Sequence, residues 1–322
     1  MHLSQVIGGG VICRNGADAR RVQGVETVFA LAQAAMAEGI GLAEKVQALG
    51  LGEAVDLLSL AARGALDMPL RHPDPAHMFL TGTGLTHTGS ASARDAMHAD
   101  TKGMSDSMKM FKMGIEGGKP AAGEVGAQPE WFYKGTGHAA LGTGQPLVSP
   151  GFALDGGEEP ELAAYYLIAA DGTPCRVGWS LANEFSDHVT EKINYLYLAH
   201  SKLRQASFGP ELLVGALPAD IRGTSRVLRG GKVIFEAPFL SGSANMSHSF
   251  ENLEHHHFKY GIFCQPGDLH VHMFGTATLS FVAGVETQAG DVFEISAPDF
   301  GLPLSNPLQV AAPSGLVTVR AL

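Results

Sequence analysis

Gly157-Glu158-Glu159-Pro160-Glu161-Leu162-Ala163-Ala164-Tyr165-Tyr166 runs from clustered carboxylates straight into an apolar segment. The apolar part, 162–169, has the length and bulk of a buried strand. Residues two apart on a strand share a face, so Glu159 and Glu161 point the same way. Neighbouring carboxylates repel unless a proton or a cation sits between them. Hard cations such as Mg²⁺ and Ca²⁺ take oxygen ligands of this kind. A third carboxylate stands in Trp179-Ser180-Leu181-Ala182-Asn183-Glu184-Phe185-Ser186-Asp187-His188. Glu184 is flanked by Leu181, Ala182 and Phe185, where a bare charge is costly. Glu159, Glu161 and Glu184 are therefore candidates for one metal set, although a Glu-x-Glu pair by itself is common on solvated surfaces.

Strand-like runs alternate with Gly/Pro turns around this pair. They cover 177–181, 212–217, 224–228, 232–236, 269–271, 278–282 and 292–296, with a hairpin turning at Gly230-Gly231. Helices are expected at 189–203 and 250–260. Toward the N-terminus, 27–38 is Ala-rich with Val28, Leu31 and Met36 on helical spacing, and Gly39 ends it. A second helix is expected over 53–65, and a hairpin near Asn15-Gly16. Pro73 and Pro75 mark a linker. The chain is expected to divide into a small mixed N-terminal domain, 1–75, and a strand-rich catalytic domain, 76–322. Residues 104–126 carry four methionines, three lysines and several glycines, as expected of a lid or a surface insertion.

Bulk properties limit the function classes. The 322 residues are 45% hydrophobic, enough for a sizeable core, and 41 glycines fit a turn-rich, strand-rich fold. The net charge is −10 and Lys/Arg never cluster in runs of five, so nucleic acid is not an expected partner. No apolar stretch approaches the ~18 residues of a membrane span. The N-terminus lacks a signal-peptide pattern, and three scattered cysteines give no disulfide framework, so a cytoplasmic location is expected.

Further motifs, in order, carry a resemblance. They are Pro129-Glu130-Trp131-Phe132-Tyr133-Lys134, the run from Pro146 to Leu162, Gly178 to Ser186, Pro266-Gly267-Asp268-Leu269 with Gly275-Thr276, and Gly290-Asp291-Val292-Phe293-Glu294-Ile295 through Gly301-Leu302 to Asn306-Pro307. In this order the C-terminal three quarters of the chain resembles the fumarylacetoacetate hydrolase family. Glu184 takes the place of the family's Asp. The resemblance implies an α+β fold built as a mixed β-sandwich roll, a Mg²⁺ or Mn²⁺ cofactor at Glu159, Glu161 and Glu184, and a homodimer or higher homo-oligomer.

The chain also departs from the family. The stretch Gly84-Leu85-Thr86-His87-Thr88-Gly89-Ser90-Ala91-Ser92-Ala93 matches a segment that in many family hydrolases holds a water-activating His and Glu. Here Ser90 and Ala93 stand at those places. Ala206 stands where many hydrolases have a Lys, and Lys202 lies four residues upstream. Hydrolytic C–C cleavage needs an activated water; a dehydration does not. The stretch with Arg94-Asp95 and Met97-His98 is similar to the sugar-acid branch, which dehydrates 2-keto-3-deoxy-pentonates to 2,5-dioxopentanoate. The expected function is accordingly a metal-dependent hydro-lyase (Mg²⁺, or Mn²⁺ or Ca²⁺) acting on a small 2-keto acid. His87 and Lys134 are the expected catalytic residues, and Ser90, Arg94 and Thr276 the expected substrate contacts. The alternatives are a C–C hydrolase of acylpyruvates or diketo acids, and a noncatalytic sugar-acid-binding protein. His255-His256-His257 is not expected to hold a metal, because adjacent helical side chains diverge by about 100°.

Overall fold

The computed structural model describes residues 1–88 and 105–322. Strands β1 (His2–Gln5), β2 (Val11–Asn15) and β3 (Asp18–Val22) form a meander. Its second turn falls at Gly16, whose φ of 60° suits glycine. Helix α1 (Val28–Glu38) starts where the Thr27 side chain accepts from Ala30 N and ends at left-handed Gly39, as the sequence indicates. Next come α2 (Leu42–Leu49), β4 (Leu51–Ala54) and α3 (Leu57–Ala62). The helix expected over 53–65 is thus shorter. Residues 51–54 pair with β3 instead, and Asp56 caps the helix by accepting from Ser59 N.

The remaining strands are β5 (Met78–Gly82), β6 (Phe132–Thr136), β7 (Ala140–Leu141), β8 (Leu147–Ser149), β9 (Pro160–Ile168), β10 (Pro174–Asn183), β11 (Ala206–Phe208), β12 (Leu212–Leu213), β13 (Ile221–Arg229), β14 (Lys232–Ser241), β15 (Leu269–Met273), β16 (Val292–Ser296) and β17 (Leu304–Val310). Helices α4 (Asp106–Gly117), α5 (His188–Ile193), α6 (Leu198–Lys202) and α7 (Phe250–Phe258) complete the described elements. The fold is α+β and strand-rich. One mixed sheet runs β4-β3-β2-β1-β12-β10-β9-β15-β5-β6, with β11 on β10 and β7 on β11; a second runs β14-β13-β16-β17-β8.

β9 is buried along its whole length, which explains its unbroken apolar sequence. One face (Ala163, Tyr165, Leu167) packs with Val28, Leu31 and Ala32 of α1. The other (Leu162, Ala164, Tyr166) packs with Ile221 and Ile295 of the second sheet and with Phe250 and Leu253 of α7. The strong antiparallel pairing of β9 with β10 and β15 fixes the frame of the site.

Four further expected elements differ. Residues 278–282 are turns and a one-turn helix, because the Ser280 hydroxyl and amide are committed to Glu158. The helix expected over 189–203 breaks at Asn194, which is extended and caps Leu196 N with its own side chain. The strand expected over 212–217 stops at Leu213, and Gly215 follows at φ 109°. Much of the lid-or-insertion segment is α4, packed so that Gly114 meets the His248 ring. No helix among the described residues is long and apolar enough to cross a membrane.

Candidate metal centre

The β9–β10 register brings the three carboxylates together. Ala182 faces Glu161 and Asn183 faces Pro160. The ladder then continues past both strands. Glu184 N donates to Glu159 O at 3.0 Å, and Gly157 and Ser186 exchange two bonds of 3.0 Å. Cross-strand neighbours of this kind lie about 5 Å apart. Glu159, Glu161 and Glu184 consequently each offer an oxygen within 4.8 Å of the others, and all three are buried. The glycines beside them are steric requirements. A Cβ on Gly156 would lie 2.8 Å from the Phe185 ring, and one on Gly157 would lie 2.7 Å from the His188 ring.

Each carboxylate has distinct partners. Glu161 Oε2 accepts from Gly275 N at 2.8 Å, while its buried Oε1 has no hydrogen-bond partner. Burial, then the charges of Glu184 and Glu159, push the Glu161 carboxyl well above the usual range. Burial, then Glu159, raises Glu184 as well. Glu159 goes the other way. Burial opposes its ionisation, but the Lys202 ammonium and His188 outweigh burial and hold it well below the usual range. Lys202 Nζ stands 2.5 Å from Glu159 Oε1, 3.1 Å from Glu184 Oε1 and 3.1 Å from Ser186 Oγ.

These residues fit a divalent cation. The donors are three hard oxygens, one of them orphaned in the interior, and two of the carboxyls resist ionisation for want of positive charge. Three carboxylates face two buried ammonium groups, since Lys134 Nζ is 3.5 Å from Glu184 Oε1. His188, whose two ring nitrogens face Glu159 and Asp155, is balanced by Asp155, so among the described residues one negative charge is left over.

The other expected site residues separate into distinct roles. Lys134 is buried beside Glu184, and its Nζ also donates to Phe185 O at 2.6 Å and to Lys202 O at 3.1 Å. Those three acceptors match the three donors of an ammonium. Burial lowers its pKa to about 8, against the opposing pull of Glu184. His87 is buried, with Nδ1 3.0 Å from Thr86 Oγ1 and Nε2 2.9 Å from Ser241 Oγ. Burial pushes its pKa down to about 3, so the ring is neutral at pH 7. Its neighbour Thr86 donates to Phe274 O, one residue before the Gly275 amide that binds Glu161. Thr276 follows on the same strap, its Oγ1 accepting from Thr278 N at 3.2 Å. Ser90 and Arg94, with Ala93 and His98, lie outside the described residues.

Three groups beside the carboxylates were not singled out from sequence. Lys202, weighed only as a stand-in for a missing Lys, is the cation nearest the triad among the described residues. His188 bridges Asp155 and Glu159. Glu158 is tied to Ser280, which anchors the 275–281 strap over the site. The density of acidic residues in Asp155-Gly156-Gly157-Glu158-Glu159 was the signal for the last two. The histidines of α7 diverge as expected: His256 Nε2 lies 3.1 Å from Gly126 O, and His257 Nε2 lies 3.0 Å from His270 Nδ1. His257, His270 and His272 are all depressed by burial, and His272 falls to about 3.

No known family profile matches the chain, and no curated protein matches it by sequence. Solved structures do. A 2-keto-3-deoxy-D-arabinonate dehydratase complexed with magnesium and 2,5-dioxopentanoate superposes with a TM-score of 0.69 at 19% identity, over 97% of this chain and 100% of that one. A 5-carboxymethyl-2-hydroxymuconate delta-isomerase from Mycobacterium smegmatis gives 0.56 at 16% identity, again over 97% and 100%. A maleylpyruvate hydrolase from Sphingobium sp. SYK-6 gives 0.59 at 13% identity, with the same coverage. The chain shares one fold with a dehydratase, an isomerase and a hydrolase.

Proposed function

We propose that the chain is an enzyme of the fumarylacetoacetate hydrolase type: a divalent-metal-dependent hydro-lyase that dehydrates a 2-keto-3-deoxy sugar acid, such as a 2-keto-3-deoxy-pentonate, to 2,5-dioxopentanoate. The observation that carries this is the buried meeting of Glu159, Glu161 and Glu184, with Glu161 Oε1 unpartnered. A cation bound there supplies Lewis-acid polarisation of the substrate's 2-oxo and carboxylate oxygens. The charge balance supports the substrate class. A divalent cation turns the leftover negative charge into one positive charge, which a substrate carboxylate neutralises.

The protein groups have separable tasks. Lys202, against Glu159 and Glu184, holds a proton at Nζ beside the reacting centre and is placed to exchange it as C3 loses a proton and the 4-hydroxyl departs as water. Moving one hydrogen from C5 to C3 gives the C4=C5 enol, and passage of its hydroxyl proton to C4 gives the aldehyde, so water is the sole by-product. Lys134 acts through others: it fixes the backbone at Phe185 and Lys202 and supports Glu184. His87, as a neutral imidazole, offers hydrogen bonds rather than a charge; with Thr276, Ser90 and Arg94 it is proposed to line the substrate side. The absence of His and Glu from positions 90 and 93 favours elimination over attack by water.

The test is product analysis. Purified protein with Mg²⁺ is given 2-keto-3-deoxy-pentonates and, separately, acylpyruvates, and products are resolved by mass. Loss of one water from the pentonate is expected. Fragmentation of an acylpyruvate with gain of water, and no reaction of any pentonate, would replace the hydro-lyase by a hydrolase.

A further inference from the structure

We propose that His188 is a positioning residue of the cation site, fixing the Glu159 carboxylate in its ligating orientation, with Asp155 as its anchor. The proposal rests on the metal reading of the three glutamates. His188 opens α5 and is 1% exposed. Its Nδ1 is 3.1 Å from Asp155 Oδ2, and its Nε2 is 3.2 Å from Glu159 Oε1. Both partners are carboxylates, which only accept, so both ring nitrogens donate.

The ring cannot turn away from this geometry. Phe281 stacks on it, with centroids 5.2 Å apart and planes at 24°. Gly157 lies against it so closely that a Cβ there would come within 2.7 Å of Cε1 and Nδ1. The ring is therefore gripped at both nitrogens and pressed by Phe281 and by the Gly157 backbone.

What this does to Glu159 is specific. Its two donors, His188 Nε2 and Lys202 Nζ, both fall on Oε1. Oε2 is the oxygen left for a cation. Glu161 is treated in the same way by other means: the Gly275 amide takes Oε2 and leaves Oε1. In Glu159 and Glu161 one oxygen is pinned by the protein and the other is presented, whereas Glu184 has a donor on each oxygen. Outer groups that orient metal ligands commonly change affinity by about 10–100-fold when removed. The chain Asp155–His188–Glu159 also reaches outward, since Asp155 and Phe281 line a surface cavity of about 590 Å³. Asp155 is thus a perturbation point at the edge of the fold, and Asp155→Asn keeps its size.

The experiment is Mn²⁺ titration of the full-length protein, followed by calorimetry, with folding checked by circular dichroism. His188→Ala and Asp155→Asn are expected to weaken Mn²⁺ binding about 10–100-fold. His188→Gln, whose side-chain amide still donates toward Glu159, is expected to recover most of that loss. Glu161→Gln removes a ligand and is expected to abolish binding. If Glu161→Gln loses Mn²⁺ while folded His188→Ala binds within threefold of the parent, the positioning role is wrong and the metal reading stands. If His188→Ala does not fold, parental affinity in Asp155→Asn overturns the proposal equally. If Glu161→Gln binds as the parent does, the metal reading fails and the proposal falls with it. A role in packing alone would lower the unfolding midpoint in EDTA and leave Mn²⁺ affinity unchanged, which also counts against it.

Discussion

Replacing Lys202 by Met keeps the length of the side chain and removes its charge. In the metal-free protein this strips two carboxylates of their nearest cation. Lys202 Nζ lies 2.5 Å from Glu159 Oε1 and 3.1 Å from Glu184 Oε1, and every one of these side chains is at least nine-tenths buried. A charge-assisted hydrogen bond contributes about 1.5–3 kcal/mol, and breaking a buried pair by removing one partner costs about 3–5 kcal/mol. An apo loss of about 4 kcal/mol is expected. For 322 residues the unfolding entropy is about 0.7 kcal/mol/K, so the midpoint falls by about 6 °C. The divalent cation and the ammonium offset the charge of the same carboxylates. Saturating Mg²⁺ should therefore narrow the gap between variant and parent, because the cation restores the missing positive charge. Thermal unfolding in EDTA and in Mg²⁺ measures both numbers, and turnover of the variant should fall to background. A gap that stays the same or widens on adding Mg²⁺ would refute the shared-charge reasoning.

Other consequences follow from residues already placed. Folded His272 is held at about 3 against 6.5 when unfolded, so the unfolded chain takes the proton first and stability is lost as pH falls from 6.5 toward 3. Between pH 7.5 and 5.5 one such histidine costs about 1.4 kcal/mol; urea titrations should show His272→Gln losing that much less than the parent, and parallel pH dependences would contradict it. Lys134→Met takes a donor from the buried Phe185 and Lys202 carbonyls and a neighbouring cation from Glu184, and should cost about 3 kcal/mol in urea unfolding; a loss under about 1 kcal/mol would mean the ammonium supports nothing. Gly82→Ala drives a Cβ into the Phe132 ring in the core and should destabilise by about 1–3 kcal/mol, whereas an unchanged midpoint would show that the ring moves freely.

How far the sequence carries depends on which residues answer to local rules. Thr27 and Gly39 bound α1 as their chemistry requires, and Gly230-Gly231, both at positive φ, turn the β13–β14 hairpin where expected. The triad was legible because Glu159 and Glu161 share a strand face and Glu184 stands in apolar company; only the β9–β10 register, a tertiary fact, shows that they meet. Local pattern failed where a side chain serves a distant partner. Ser280 and its neighbours look like a strand but are drawn to Glu158, 122 residues away in the chain. Asn194 interrupts a helical pattern by capping the next turn. Lys202 and His188 carry no motif of their own; their meaning comes from Glu159, which approaches them only in the folded protein.

The most direct measurement is the Mn²⁺ anomalous signal from crystals of the full-length protein. One peak is expected per chain, within coordinating distance of one oxygen each of Glu159, Glu161 and Glu184, and it should vanish in Glu161→Gln. Saturating Mn²⁺ that gives no peak among these three side chains, or a peak only elsewhere, would contradict the cation site from which the proposed chemistry begins.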